Sequence, residues 1–371
     1  MTTRINDVEV LKIWLHNQPE RYVVLREKTA DGTLIEINLL ADLELANRLD
    51  AQFPREKQGV KIDVYGKGRA DYLGFSHLPD GLAEACLHNR TLEKKSNETI
   101  SSSGWYRAQP LQELQALLYH LCYHKPDKSG FIQDFIAPFN EPGPDSLYAA
   151  RAQQLQKMVS APSFSALPDV HTWLSEQQLV IDVERLQAYV RYQCYRGTKS
   201  YFHAWLMNQL RGELNLFVIR GVAIKFKQTG ALLQRLSHEY QILETKAVPW
   251  RHRLIKMRHM RGGKWKRGGK PHLAVVVFDP HPVTASEAER QLHPFVFNAR
   301  QFIKRQWRDW FAAETGARPQ DNPIHSTDNE AEAIGHLPLF FDAKEQGKLL
   351  SELALLRSTD ISESKAVCDV S

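Results

Sequence analysis

The side chains best placed to do chemistry lie at the two ends of one apolar run. In Gly269-Lys270-Pro271-His272-Leu273-Ala274-Val275-Val276-Val277-Phe278, the stretch from Leu273 onward is apolar throughout. That pattern predicts a central strand covered on both faces. His272 stands at its head, and Asp279 and His281 follow its end. Two imidazoles and a carboxylate are a ligand set for a divalent metal. His281 lies between Pro280 and Pro282, so it also suits a turn. His120 and His124 are four apart on an expected helix and face one way, as paired ligands do. Tyr119–His124 brings no acid to them, which favours a helix-face or core role. His325 and Asp328 could pair as acid and base, but the sequence around them reads first as a helix N-cap, with Thr327 or Asp328 capping. Tyr65-Gly66-Lys67-Gly68-Arg69 lacks the spacing of a phosphate loop and reads as a β-turn. GxSxG, HExxH and Walker motifs are absent, and with them direct support for hydrolase, zinc-protease and nucleotide-triphosphatase readings.

Charge points elsewhere. Thr245–Phe278 holds no Asp or Glu but ten Lys or Arg. Without those ten, a chain with 48 basic and 43 acidic residues would be acidic; with them its net charge is +5. A concentrated patch attracts polyanions far better than scattered charges do. The contacts expected for a nucleic acid are Arg251, Arg253, Lys256, Arg258, Arg261, Lys264, Lys266, Arg267 and Lys270 on phosphates, with Trp265 stacked on an unpaired base. The pairs Gly262-Gly263 and Gly268-Gly269 permit tight turns and close approach to a ligand. Between two strands, this segment would be a protruding hairpin finger.

The second half also resembles a known superfamily. A strand at Leu214–Arg220 is followed by a helix, then by the His272 strand, then by a helix ending in Trp307-Arg308-Asp309-Trp310, and later by Asn322-Pro323-Ile324-His325. Over about residues 214–330 this order is similar to the HUH rolling-circle replication initiators and relaxases of phages and integrated elements. The resemblance implies a central strand bearing two histidines that hold a divalent metal, with a tyrosine attacking the scissile phosphate. His272 matches the first histidine and would be the catalytic residue. The second position is Ala274, and no tyrosine follows Tyr240, so a nucleophile would have to come from upstream: Tyr240, Tyr201 or Tyr195. A copy with these departures is expected to bind without cutting. The alternatives are an active metal-dependent nuclease using His272, or an RNA- or protein-binding subunit of a larger complex.

The elements that must position these residues make a mixed α/β protein of the α+β class. Residues 1–140 read as an α/β domain: strands at Arg21–Glu27, Thr33–Leu39 and Val60–Tyr65, a hairpin turn at Ala30-Asp31-Gly32, and helices at Ala41–Ala51 and Leu111–His124. Asn140–Asp145, rich in Pro and Gly, opens a helical connector over 141–169. Residues 170–350 are expected to form an antiparallel-sheet domain with flanking helices and the basic finger, and 351–371 a polar tail. Within that domain Val183–Tyr195 reads as a helix. Leu214–Lys227 reads as strand interrupted at Arg220-Gly221, with Val222, Ile224 and Phe226 on a buried face. A helix at Asn298–Glu314 would bury Phe302, Ile303, Trp307, Trp310 and Phe311, with Arg300, Lys304, Arg305 and Arg308 mostly on its other side. Cys86, Cys122, Cys194 and Cys368 form no CxxC pair, which argues against a disulfide framework or zinc finger. With no apolar run of membrane length, the expectation is a cytoplasmic protein whose partners are nucleic acid, DNA before RNA, and other proteins, not membranes.

Overall fold

The computed structural model describes residues 2–30, 33–53, 58–93, 104–132, 147–249, 268–318 and 320–368. It is mixed α/β, as the patterning required. Two compact units, Met1–Arg185 and Leu186–Ser371, divide the chain. The division falls past the 141–169 segment expected to be a connector.

The first unit is built on a four-stranded sheet. Its elements are β1 (Thr2–Ile5), α1 (Val8–His16), β2 (Tyr22–Ala30), β3 (Thr33–Ala41), α2 (Leu43–Gln52), β4 (Val60–Gly66), α3 (Asp80–His88), β5 (Arg90–Glu93), β6 (Trp105–Ala108), α4 (Pro110–Tyr119), α5 (Leu147–Val159) and α6 (Leu167–Glu176). The sheet order is β1-β4-β3-β2. β3 and β4 run parallel with α2 as their crossover, while β2–β3 and β1–β4 are antiparallel. Ile37, Leu39, Ile62 and Val64 share a core with Leu11, Leu15, Leu45 and Leu49, so the amphipathic faces of α1 and α2 close one side of the sheet. Gly66-Lys67-Gly68 forms the expected turn, with Gly68 at φ 69°. Its cations are held by carboxylates: Lys67 by Glu84, Arg69 by Asp50.

The second unit comprises α7 (Val183–Tyr195, across the division), α8 (Tyr201–Asn208), β7 (Glu213–Arg220), α9 (Gly221–Lys225), α10 (Thr229–Glu239), β8 (Gln241–Ala247), β9 (Pro271–Asp279), α11 (Glu287–Leu292), α12 (Ile303–Thr315), β10 (Ile324–Ser326), α13 (Glu330–His336) and α14 (Ala343–Cys368). Its sheet is antiparallel, in the order β10-β7-β9-β8. β9 is central, and Ala274 through Val277 are fully buried, as the uninterrupted apolar run predicts. Phe217, Ile219, Val275 and Val277 pack against Leu232 and Leu236 of α10 and Trp307 and Phe311 of α12.

Three expectations are corrected here. Val222–Phe226 is not strand, because α9 begins at Gly221. Helical spacing puts Val222, Ala223 and Phe226 on one face toward the core and leaves Ile224 45% exposed, where alternation would have buried it. The basic residues of α12 do not simply face away. Lys304 Nζ donates to Ser326 Oγ at 2.8 Å and an Arg308 Nη donates to the Ile324 carbonyl at 3.2 Å, so both lie over β10. The N-cap before α13 is Asn329, whose side chain accepts from the Glu332 amide, rather than Thr327 or Asp328. At the C-terminal end, α14 continues as helix through the polar tail to Cys368.

Candidate functional site

Antiparallel order brings four chain ends to one edge of the second sheet: Arg220 ends β7, Ala247 ends β8, Pro271 starts β9 and Ile324 starts β10. β8 and β9 are hydrogen-bonded neighbours with Ala247 opposite Leu273, and the Val248 amide donates to the His272 carbonyl at 2.8 Å. The segment carrying Arg251, Arg253, Lys256, Arg258, Arg261, Lys264, Trp265, Lys266 and Arg267 therefore leaves and rejoins the sheet on adjacent strands. Those nine residues themselves lie outside the described residues. Lys270 is described, and is exposed at the root of the segment. The returning chain is pinned to α9: Val222 and Gly221 amides donate to the Gly268 and Lys270 carbonyls, both at 2.9 Å. These are first-turn amides that a helix cannot satisfy from within. Gly268 and Gly269 adopt φ of 105° and 82°, a conformation glycine takes without cost.

Around that edge the charges are mostly positive. Arg220 is buried, and burial with Arg308 nearby lowers its guanidinium to about 10. Burial also lowers Lys304, whose acidic neighbour Asp328 is 3.9 Å away. His325 sits among these groups on β10. Burial, then Arg220 and Lys304, push its imidazole down to about 3, so it is neutral at physiological pH. A folded-state value below the ordinary 6.5 means that the unfolded chain takes up a proton first as pH falls. The stability of the second unit is therefore expected to drop between about pH 6.5 and pH 3. At pH 5 the loss from this group is at most about 2 kcal/mol relative to pH 7, the ring being partly exposed. His325→Leu should flatten that acid slope in denaturant titrations, and an unchanged slope would show that His325 is not its source.

The metal trio expected on β9 is not assembled. His272 and Asp279 are seven residues apart on one strand, about 23 Å at strand rise. Asp279 is instead a structural clasp. Its Oδ2 accepts from Asn298 at 2.8 Å and Arg300 Nε at 2.9 Å, and its Oδ1 from the His281 amide at 3.1 Å. His281 meets Asp279 through its backbone while its residue is exposed. His272 is half-buried beside Gly221, and Ala274 is buried within β9. Of the candidate nucleophiles, Tyr240 immediately precedes Gln241, which pairs with Phe278 at the opposite end of the sheet from His272, and its hydroxyl donates to the Arg300 carbonyl at 3.2 Å. Tyr201 is buried and accepts from Arg290. Tyr195 is 82% exposed on α7.

A second cluster, in the first unit, joins residues that spacing alone could not. His77, His120 and His124 place one ring nitrogen each within 4.8 Å of the others, close enough to hold a metal ion. His120–His124 is a π-helical turn closed by the Lys125 amide on the His120 carbonyl at 3.1 Å. Such turns are rare and often occur at functional sites. His120 and His124 face each other through Nδ1 atoms 3.3 Å apart. His77 arrives from the segment before α3, its ring stacked on Tyr65 at 3.6 Å and 12°. Burial holds the His77 and His120 imidazoles well below their ordinary value, and so neutral. Arg185 places a guanidinium nitrogen 3.1 Å from the His77 carbonyl and 3.2 Å from His124 Nε2. The i, i+4 pair was visible in the sequence; the third member came from more than forty residues away, with no local signal.

No family model matches the chain, and no curated protein matches it. Among solved structures, the nucleoside diphosphate kinase of Aquifex aeolicus is similar at 18% identity and a TM-score of 0.22, over 36% of this chain and 98% of that one. A TM-score that low carries no argument about fold or function.

Proposed function

We propose that this protein binds nucleic acid, single-stranded DNA in preference to RNA, through the basic edge of its second unit. The observation that carries this reading is the pairing of β8 with β9. It roots an acid-free segment holding most of the ten clustered cations at the sheet edge where Arg220, Lys304 and Arg308 already gather. Cations partly removed from water with few acids beside them are stabilised by an arriving phosphate, and each phosphate neutralised releases condensed counterions. Binding without cleavage is the favoured mode. His272 has Ala274 where a second histidine would stand, and Tyr240 lies at the far end of the sheet. In this reading the protein serves replication or mobilisation of a mobile element as a strand-holding relative of rolling-circle initiators, and no metal at His272 takes part.

The test is salt dependence. Replacing Lys264, Lys266, Arg267 and Lys270 together with Gln should reduce the slope of log affinity against log salt for a single-stranded oligonucleotide by about 3, at about 0.7 per phosphate contact. An unchanged slope, or no binding by the parent at low salt, would remove the segment from any nucleic-acid interface.

A further inference from the structure

We propose that His77, His120 and His124 form a binding site for a divalent transition-metal ion of the zinc class. The geometry is the first reason. Zinc–imidazole bonds of about 2.0–2.1 Å in a tetrahedral site place ligand nitrogens about 3.3 Å apart. The His120 and His124 Nδ1 atoms are already 3.3 Å apart, and the His77 nitrogen needs at most a modest inward shift. The second reason is the unused bonding capacity. Nε2 of His77 is buried and has no hydrogen-bond partner among the described residues, and an ion would give it one. A buried imidazole nitrogen left unmatched is costly, and coordination removes that cost. The third is rigidity. Tyr65 fixes the His77 ring by stacking, and the π-turn fixes the other two on one backbone segment.

Local charge decides which ion and how it binds. Arg26 is buried near the cluster and Arg185 borders His124, while among the described residues no carboxylate joins the three nitrogens. Hard cations such as Mg²⁺ and Ca²⁺, which require oxygen donors, are excluded by this donor set. Imidazoles select zinc, copper, nickel or iron. In the metal-free site Arg185 donates to His124 Nε2, so the His124 proton sits on Nδ1 and bridges to His120. An ion bound by both Nδ1 atoms moves that proton to His124 Nε2, so Arg185 must turn away from Nε2 when the ion enters. The remaining coordination position is open to an anion or water, which the neighbouring arginines favour.

The experiment uses the full chain, stripped of metal and titrated with Zn²⁺ and Co²⁺. The expected result is one ion per chain by elemental analysis after dialysis. Co²⁺ should give the visible absorption of a tetrahedral site. His77→Asn and His120→Asn should each weaken binding by on the order of 100-fold. His88→Asn, an exposed histidine at the end of α3, should not. The parent protein is decisive even if a variant fails to fold: sub-stoichiometric zinc or octahedral cobalt overturns the proposal. Stabilisation by inorganic phosphate but not by Zn²⁺ also overturns it, and would make the cluster an anion site. Because the readouts are metal occupancy and spectrum, failure here is distinct from failure to bind DNA.

Discussion

Gly268→Ala is expected to destabilise the second unit by about 3 kcal/mol and to weaken oligonucleotide binding with it. Two costs add. A non-glycine residue at φ 105° is strained by about 1–2 kcal/mol. A Cβ there would also fall well inside contact distance of the backbone oxygen and carbon of Asn322, neither of which is a flexible side-chain end. Asn322 precedes Pro323, whose carbonyl accepts the Arg220 amide at 2.8 Å, so its displacement pulls on the β7–β10 junction. Gly269→Ala is the matched control. Its φ is similar at 82°, but the nearest atom is 3.7 Å away, so only the strain remains, about 1 kcal/mol. Chemical denaturation of the two variants separates close packing from backbone strain. Equal losses would mean that the Gly268–Asn322 contact is not rigid.

The second large effect is expected from Glu213→Gln. Glu213 and Asp279 are directly opposite on the two central strands, and the interior cannot charge both. Asp279 has three donors; Glu213 has only the nearby Asn298 and Asn215 amides, neither in good hydrogen-bond geometry. Burial, and then nearby Glu330 and Asp279, raise the Glu213 carboxyl from 4.5 to about 8, against the weaker opposing pull of the Asn298 and Asn215 amides. A value raised on folding favours the native state at low pH, and that favour is lost as pH rises through about 8. From pH 5 to pH 8 the loss is roughly 3 kcal/mol. The amide isostere cannot ionise, so the stability of Glu213→Gln relative to the parent should climb by that amount over the same range. Parallel pH profiles would show that Glu213 is already solvated. Between pH 5 and 6.5 this slope opposes the one from His325, so the parent can look indifferent to pH while each single variant does not.

What the sequence made legible follows from how local each signal is. The apolar run on β9, the helical spacing of α7 and α12, and the β2–β3 hairpin depend on neighbours within a few residues, and each formed as expected. Val222–Phe226 failed because five residues with four apolar positions fit either period. The hydrogen bonds that chose helix came from Gly268 and Lys270, more than forty positions on. His272, Asp279 and His281 looked like a cluster because they are near in sequence, but a strand spreads its residues along its length. His77, His120 and His124 looked unrelated for the converse reason. The nine basic residues expected to contact phosphate, and Trp265's role, rest on charge and composition, which report what a segment attracts rather than how it folds.

The outer edge of β7 has a consequence for synthesis on the ribosome. It is completed only by distant sequence: Ile219 pairs with Ile324, Leu216 exchanges bonds with Thr327, and the Leu214 amide donates to the Glu330 carboxylate. β7 emerges about a hundred residues before those partners. At roughly 5–20 residues per second, its apolar strand waits about 5–20 s with one flank unpaired. β9 can cover the other flank in that interval, so the nascent unit passes through a three-stranded stage with an adhesive margin. Nascent chains halted between Asp279 and Asn322 should therefore be the most aggregation-prone and the most readily held by a chaperone, and translation past Glu330 should end that susceptibility.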